Sequence, residues 1–181
     1  MRARGVDPTL DDLGERICIL GPSNSGKSTL AVAIGAARGL EVVHLDRFRH
    51  QPAQHWVLRP REEFTALHDA ATRGERWVIE GNYPDWWESR RRRATGLILL
   101  DSSALASAAR HLRRTLMREE RVGGVAGVRD RVTWPMMRHI LGPARVQRVR
   151  YRGFFDAFDG PKVTLADRGA LRAFVRANGL S

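Results

Sequence analysis

One nine-residue stretch limits the folds open to this chain more than any other feature. Residues 21–28 match G-x-x-x-x-G-K-[ST] at every fixed position, and Thr29 completes the stretch. The apolar residues 17–20 precede it, and apolar residues at helical spacing follow it as far as Gly39. This order predicts a buried strand, a loop that wraps phosphate with its backbone N–H groups, and a helix whose N-terminus favours negative charge.

The residue types in this loop suit a nucleoside triphosphate. Its glycines allow turns that a side chain would block, Lys27 can reach the terminal phosphates, and Ser28 can ligate Mg²⁺ through its hydroxyl. We therefore predict that ATP and Mg²⁺ are the cofactors, that Lys27 is catalytic, and that Ser28 is a metal ligand. The predicted ATP-binding residues are Gly21, Pro22, Ser23, Asn24, Ser25, Gly26, Lys27, Ser28 and Thr29.

The rest of the chain alternates short apolar runs with helical patterns. The predicted strands after the first are residues 41–45, 77–79, 97–100 and 162–165. Such alternation predicts an α/β fold in three layers, with an open, parallel, five-stranded sheet between helices. Residues 1–15 are expected to be a loose N-terminal extension, residues 16–181 a single domain, and residues 47–60 irregular.

Acidic residues follow three of the predicted strands. Ligands of open parallel sheets lie beyond the carboxyl ends of the strands. These acids should therefore face residues 21–29, which we call the phosphate loop. Asp46 is predicted to bind the substrate and to accept a proton from its hydroxyl, or else to bind Mg²⁺. Glu80 is predicted to hold the metal and to contact substrate, whereas Asp101 either holds the metal or caps the next helix.

Arginines near the predicted crevice could bind phosphate or an anionic acceptor. In the run 90–93, Arg90 and Arg93 are predicted to clamp the acceptor, although such a run can equally be a solvated surface. Arg110 and Arg114 share one helix face and are predicted to be catalytic, by neutralising charge on the transferred phosphoryl group. We expect an acceptor-binding region at about residues 47–76 and a helical lid at about residues 113–150.

The composition says more about the environment in which the protein works than about its binding partner. The net charge is +11, nearly all of it from arginine, and a basic surface attracts nucleotides, nucleic acids and acidic membranes alike. Cys18 is the single cysteine, so an intramolecular disulfide is excluded, and we expect a buried thiol in a protein of the cytoplasm. No apolar run approaches the ~20 residues of a membrane span, so no membrane partner is expected.

Other side chains that could contact a ligand are aromatic or histidine residues. Trp86 and Trp87, together with Trp56, are predicted to stack on a substrate. His44, His50 and His55 lack the close cysteine or acid spacing of a zinc site, so zinc is not expected.

The chain resembles the adenylate-kinase-like P-loop kinases. Within them it is most similar to the small proteins called DNA topology modulation kinases, which are also described as AAA family ATPases. The resemblance rests on GPSNSGKST, VVHLD at 42–46, Pro52 with Trp56, WVIEGNY at 77–83 and the arginines before ATGLILLD. It departs from the family at Glu80, where aspartate is typical, and at Thr95, where an acid is typical. The resemblance implies a nucleoside-monophosphate-kinase-like fold without a defined substrate.

Two functions follow from these features. The first is a phosphotransferase, acting as a monomer or homodimer, that moves the γ-phosphoryl group of ATP to a small acceptor such as a nucleotide, a nucleoside or another hydroxyl compound. The second, less favoured, is a regulatory NTPase associated with nucleic acid. A GTPase is not expected because N-K-x-D is missing, and a transporter ATPase is not expected because LSGGQ is missing.

Overall fold

The computed structural model describes residues 8–51, 57–101 and 144–180. In this part of the chain, five parallel strands form one sheet in the order β2-β3-β1-β4-β5. The strands are β1 (Arg16–Leu20), β2 (Glu41–His44), β3 (Trp77–Glu80), β4 (Gly96–Leu100) and β5 (Lys162–Leu165). The predicted five-stranded parallel α/β fold is confirmed.

Helices connect the strands, and α1 ends at Gly39 as the sequence predicts. In the order of the described residues they are α1 (Lys27–Arg38), α2 (Leu45–Arg49), α3 (Arg61–Arg73), α4 (Trp87–Arg93), α5 (Ala144–Asp156) and α6 (Arg168–Ala177). Gly39 ends α1 in a left-handed conformation, and the Asp167 side chain caps α6 by accepting a hydrogen bond from the Ala170 N–H. A 3₁₀ turn at Pro84–Trp86 leads into α4.

The sheet has a hydrophobic core on each face because the residues of each strand alternate sides. On one face Ile17 and Ile19 pack in a cluster with residues of α1 and α6. On the other face Cys18 and Leu20 pack in a cluster that includes Trp87 of α4. The three-layer arrangement is therefore as predicted, and burial raises the pKa of the Cys18 thiol to about 11.

The N-terminal residues that the structure describes are packed, not loose. Leu10 and Leu13 are buried in the core, and the Leu10 N–H donates to the side chain of Asn178 at 2.8 Å. The expectation of a loose extension is therefore wrong for residues 8–15. Two apolar residues in a polar stretch gave too weak a pattern to predict this packing.

The segment after β2 is more ordered than expected. Strand β2 ends at His44, and Asp46 is the second residue of the five-residue helix α2. Beyond it, His50 pairs with Leu58 in an isolated antiparallel bridge. The predicted strand is therefore one residue too long, and residues 47–49, which were predicted to be irregular, are helical. Leu45 is buried in the core as the first residue of this helix.

Among the described residues, no helix combines the length and apolarity that crossing a bilayer would require.

Candidate active site

The loop between β1 and α1 has the backbone that its glycines predict. Gly21 has φ 146°, and a Cβ atom there would lie 2.4 Å from the Leu100 carbonyl oxygen, so only glycine fits. Gly26 has φ 102° and directly precedes the first turn of α1. The Ser25 hydroxyl is buried inside the loop and has no hydrogen-bond partner among the residues that the structure describes. A loop with this backbone and this unsatisfied hydroxyl fits a bound phosphate chain.

Lys27 lies across the loop that carries it. Its ammonium group donates to the carbonyl oxygens of Gly21 at 3.0 Å and of Pro22 at 2.9 Å. The charge is therefore already held over the loop, within a short side-chain movement of any phosphate bound there.

Ser28 and Glu80 meet at the carboxyl edge of the sheet, by which we mean the edge where the parallel strands end. The Ser28 hydroxyl donates to Glu80 Oε1 at 2.9 Å. His44 Nδ1 lies 2.9 Å from the same oxygen, because His44 and Glu80 are register partners on β2 and β3. With a proton on Nδ1, the imidazole donates to the carboxylate and fixes its orientation.

This pair of oxygen groups suits a magnesium ion. Mg²⁺ is usually held by one or two protein oxygens together with waters and substrate phosphates. In the part of the chain that the structure describes, no cluster of three or more histidine, cysteine, aspartate or glutamate side chains could hold a metal by itself. Ser28 and Glu80 therefore fit a metal that is shared with a bound nucleotide better than a metal cage built from protein alone.

Asp46 is oriented by a tyrosine. The Tyr83 hydroxyl donates to Asp46 Oδ1 at 2.7 Å, and its ring packs against Phe64 with centroids 5.0 Å apart. Burial raises the pKa of Tyr83, and the neighbouring Asp46 charge raises it further, so the phenol stays a hydrogen-bond donor.

Asn82 joins the end of β3 to the phosphate loop. Its Nδ2 donates to the Gly21 carbonyl at 2.9 Å, and its Oδ1 accepts from the Gly21 N–H at 3.2 Å. Asn82, Tyr83 and His44 are site residues that were not predicted from the sequence. The available signal was that all three adjoin the ends of β2 and β3, where site residues of parallel sheets collect.

Two arginines predicted to bind the acceptor lie elsewhere. Arg90 is fully buried, and its guanidinium donates to the carbonyl oxygens of residues 81–83. Arg93 lies at the opposite edge of the sheet, where it donates to the carbonyl oxygens of Arg73 and Gly74. We therefore correct both assignments: Arg90 supports the backbone after β3, and Arg93 is remote from Asp46 and the loop.

Asp101, at the end of β4, is bound by two arginines of α5. Arg148 and Arg152 both donate to its carboxylate, and Arg148 also donates to its carbonyl oxygen at 2.9 Å. Burial alone would raise the pKa of Asp101, but the two arginines outweigh it and lower the pKa. Neither the metal-ligand nor the helix-cap interpretation anticipated this arrangement.

The tryptophans that the structure describes after β3 have structural contacts. Trp87 is buried and its ring stacks on Phe154 at 5.2 Å, so its predicted stacking on substrate is corrected. Trp86 meets Phe64 edge-on and donates from Nε1 to the Thr65 hydroxyl at 2.9 Å. The predicted roles of Arg110, Arg114 and Trp56 lie outside the described residues, as does the lid up to residue 143, and they stay predictions.

Comparison with known proteins identifies the fold. No protein-family model matches the chain, and no curated protein sequence matches it. A shikimate kinase from Bacteroides thetaiotaomicron matches with a TM-score of 0.53 and 20% identity, over 90% of this chain and 95% of that chain. A sugar kinase from Janibacter sp. HTCC2649 matches with a TM-score of 0.49 and 17% identity, over 96% of this chain and 94% of that chain. A deoxyadenosine kinase from M. mycoides matches with a TM-score of 0.46 and 12% identity, over 89% of this chain and 97% of that chain. The chain therefore shares the open, five-stranded parallel α/β fold of the shikimate kinase.

Proposed function

We propose that this protein is an ATP-dependent P-loop kinase that transfers the γ-phosphoryl group to a small acceptor bearing a hydroxyl group. One observation carries the proposal: the Ser28 hydroxyl bonds to Glu80 directly beside the Lys27 loop, at the carboxyl edge of a parallel sheet. The fold shared with a shikimate kinase agrees with it. Similarity to the DNA topology modulation kinases, action in the cytoplasm and a monomeric or homodimeric state belong to the same proposal.

The residues divide into a donor side and an acceptor side. On the donor side, residues 21–29 bind the triphosphate, and Lys27 balances charge on its terminal phosphates. On the acceptor side, Asp46 orients the acceptor hydroxyl and takes its proton. The acceptor oxygen forms a bond to the γ-phosphorus while the bond from that phosphorus to the bridging oxygen breaks, and ADP leaves. Tyr83 holds Asp46 in position throughout.

Ser28 and Glu80 are the residues that would hold Mg²⁺. When bound there, the ion supplies positive charge to the phosphate oxygens and orients them. His44 keeps the Glu80 carboxylate aimed at Ser28, so that the ligand oxygens are in place before nucleotide arrives.

The two lysines of the chain provide a matched test of the donor side. Both ammonium groups donate to main-chain carbonyl oxygens. Lys27 donates to those of Gly21 and Pro22 in the phosphate loop. Lys162 donates to those of residues 155, 156 and 158, at the end of α5 and just beyond it. Titration calorimetry with Mg·ATP should show binding to the wild type and to Lys162→Ala. Lys27→Ala should bind about 10- to 100-fold more weakly, because a charge-assisted hydrogen bond to phosphate is lost.

Phosphoryl transfer itself needs an acceptor screen. Consumption of ATP should be followed with nucleotides, nucleosides and small alcohols, using wild type and the two lysine variants. We expect one class to be phosphorylated by wild type and by Lys162→Ala only. If folded wild type does not bind Mg·ATP, or if Lys27→Ala retains full activity, the proposed function is wrong.

A further inference from the structure

The Asn82 side chain makes the hydrogen bonds to Gly21, the first residue of the phosphate loop, that a neighbouring strand would otherwise make. It bonds to both backbone groups of Gly21, at 2.9 and 3.2 Å, as an adjacent strand would. The Gly21 carbonyl thereby receives two donors, Asn82 Nδ2 and the Lys27 ammonium at 3.0 Å. When Lys27 moves to a phosphate, Asn82 is the donor that remains on this carbonyl among the contacts described.

Arg90 fixes the backbone from which Asn82 extends. Its Nη1 donates to the Gly81 carbonyl at 2.7 Å, and its Nη2 donates to the carbonyls of Asn82 at 2.6 Å and Tyr83 at 3.2 Å. The guanidinium is fully buried, so these carbonyl dipoles rather than water stabilise its charge. Tyr83 has φ 30°, a conformation that few residues other than glycine adopt, and the three bonds hold the chain in it.

We propose that Asn82, on the turn held by Arg90, is a positioning residue that keeps the phosphate loop open for nucleotide. This inference rests on the proposed function, because it assigns a role within the same ATP site. A loop that is already ordered loses less conformational entropy on binding, so a fixed Gly21 should strengthen nucleotide binding. Neither Asn82 nor Arg90 needs to contact the nucleotide for this effect.

A second asparagine supplies the control. Asn178 also donates from Nδ2 to a backbone carbonyl, that of Phe174 at 2.8 Å, and accepts from the backbone N–H of Leu10 at 2.8 Å. Like Asn82 it donates one side-chain hydrogen bond to the backbone and accepts one, but its two partners are different residues, and it joins the end of α6 to the N-terminal segment. Asn82→Ala and Asn178→Ala therefore remove matched interactions at different places.

The test is titration calorimetry with Mg·ATP, combined with thermal unfolding of each variant. We expect Asn82→Ala to raise the dissociation constant about tenfold, the effect of one or two hydrogen bonds, and Asn178→Ala to leave it within twofold. Both variants should lose thermal stability. Faster hydrogen exchange of the Gly21 N–H should accompany Asn82→Ala alone.

Two further variants keep the proposal falsifiable if Asn82→Ala does not fold. Asn82→Asp preserves the side-chain shape but turns an oxygen toward the Gly21 carbonyl, and it should weaken Mg·ATP binding at least as much. Arg90→Lys loses the forked donor group and should weaken binding several-fold, whereas Arg16→Lys should not, since Arg16 bonds to carbonyls at the opposite edge of the sheet. The inference is overturned if wild type binds Mg·ATP and Lys27→Ala binds it more weakly, yet the folded Asn82 variants bind like wild type. Failure of wild type to bind would instead overturn the proposed function.

Discussion

His68 lies on the buried side of α3, and its ring is fully enclosed. Burial lowers the pKa of His68 below the usual 6.5, and the positive charge of Arg90 acts in the same direction, while Asp69 opposes both. Between the lowered pKa and 6.5, the folded protein binds fewer protons than the unfolded chain. The free energy of unfolding therefore rises with pH in this window, and the contribution of His68 to it is lost as the pH falls through the window.

Replacing His68 by glutamine removes the titrating imidazole and keeps a polar side chain. We expect His68→Gln to be less stable than wild type at pH 7.5 by about 1–2 kcal/mol, as is usual for a buried substitution. Between pH 7.5 and 5.5, the melting temperature of wild type should fall further than that of the variant. Thermal unfolding followed by circular dichroism at several pH values measures both, and equal falls would contradict the interpretation.

At the residue scale, the sequence predicted the backbone of the phosphate loop because a motif fixes its geometry. The spacing from Gly21 to Ser28 defines a loop whose shape follows from its glycines. Arg90 shows where this reasoning stops, because a four-arginine run does not reveal that one member turns inward to bind carbonyl oxygens. That choice depends on which face of a short helix packs on the sheet, and tertiary contacts decide it.

At the scale of elements, α1 packs closely on β2 through a glycine. A Cβ atom at Gly35 would lie 2.2 Å from Val42 Cγ2 and 3.1 Å from the Leu40 carbonyl oxygen. Alanine would favour the helix by about 1 kcal/mol, but overpacking costs about 1–3 kcal/mol. We therefore expect Gly35→Ala to lower the free energy of unfolding, and adding Val42→Ala to recover part of the loss.

Gly153 in α5 is the matched control, since a Cβ atom there would meet nothing within 4 Å. Gly153→Ala should raise the free energy of unfolding, by at most about 1 kcal/mol, because only helix propensity changes. Urea denaturation of the single variants and of Gly35→Ala with Val42→Ala measures these differences. A stabilising Gly35→Ala would show that α1 and β2 are not packed as described.

The elements that could be predicted are those with long apolar patterns. All five strands followed from apolar runs, and the end of α1 followed from Gly39. Helices α2 and α4 were missed, because one has five residues and the other ends in four consecutive arginines. In both, contact with the core stabilises a helix that its own sequence pattern does not indicate.

At the scale of the whole molecule, one edge of the sheet collects the groups proposed for chemistry. Parallel strands end together, so Glu80 and Asp101 come to the same edge as the phosphate loop although they are distant in sequence. The strand order, with β1 between β3 and β4, places the loop between them. The sequence predicted this convergence, but it could not predict the pairings there, since Asp101 binds α5 whereas Glu80 binds Ser28.

The net charge of +11 is also a property of the whole chain. It suggests a test of the alternative function, a regulatory NTPase associated with nucleic acid. If the basic surface neutralises ~6 phosphates of duplex DNA, the affinity should fall with salt at a log–log slope near −5. Under the proposed function this binding is non-specific, because the kinase site is formed by the loop and the ends of β2 and β3. ATP turnover should then change less than twofold when DNA is added at 150 mM salt, with polyglutamate as the control polyanion. A tenfold stimulation by DNA but not by polyglutamate would instead favour a regulatory NTPase, since nucleic acid would then be coupled to the Lys27 loop.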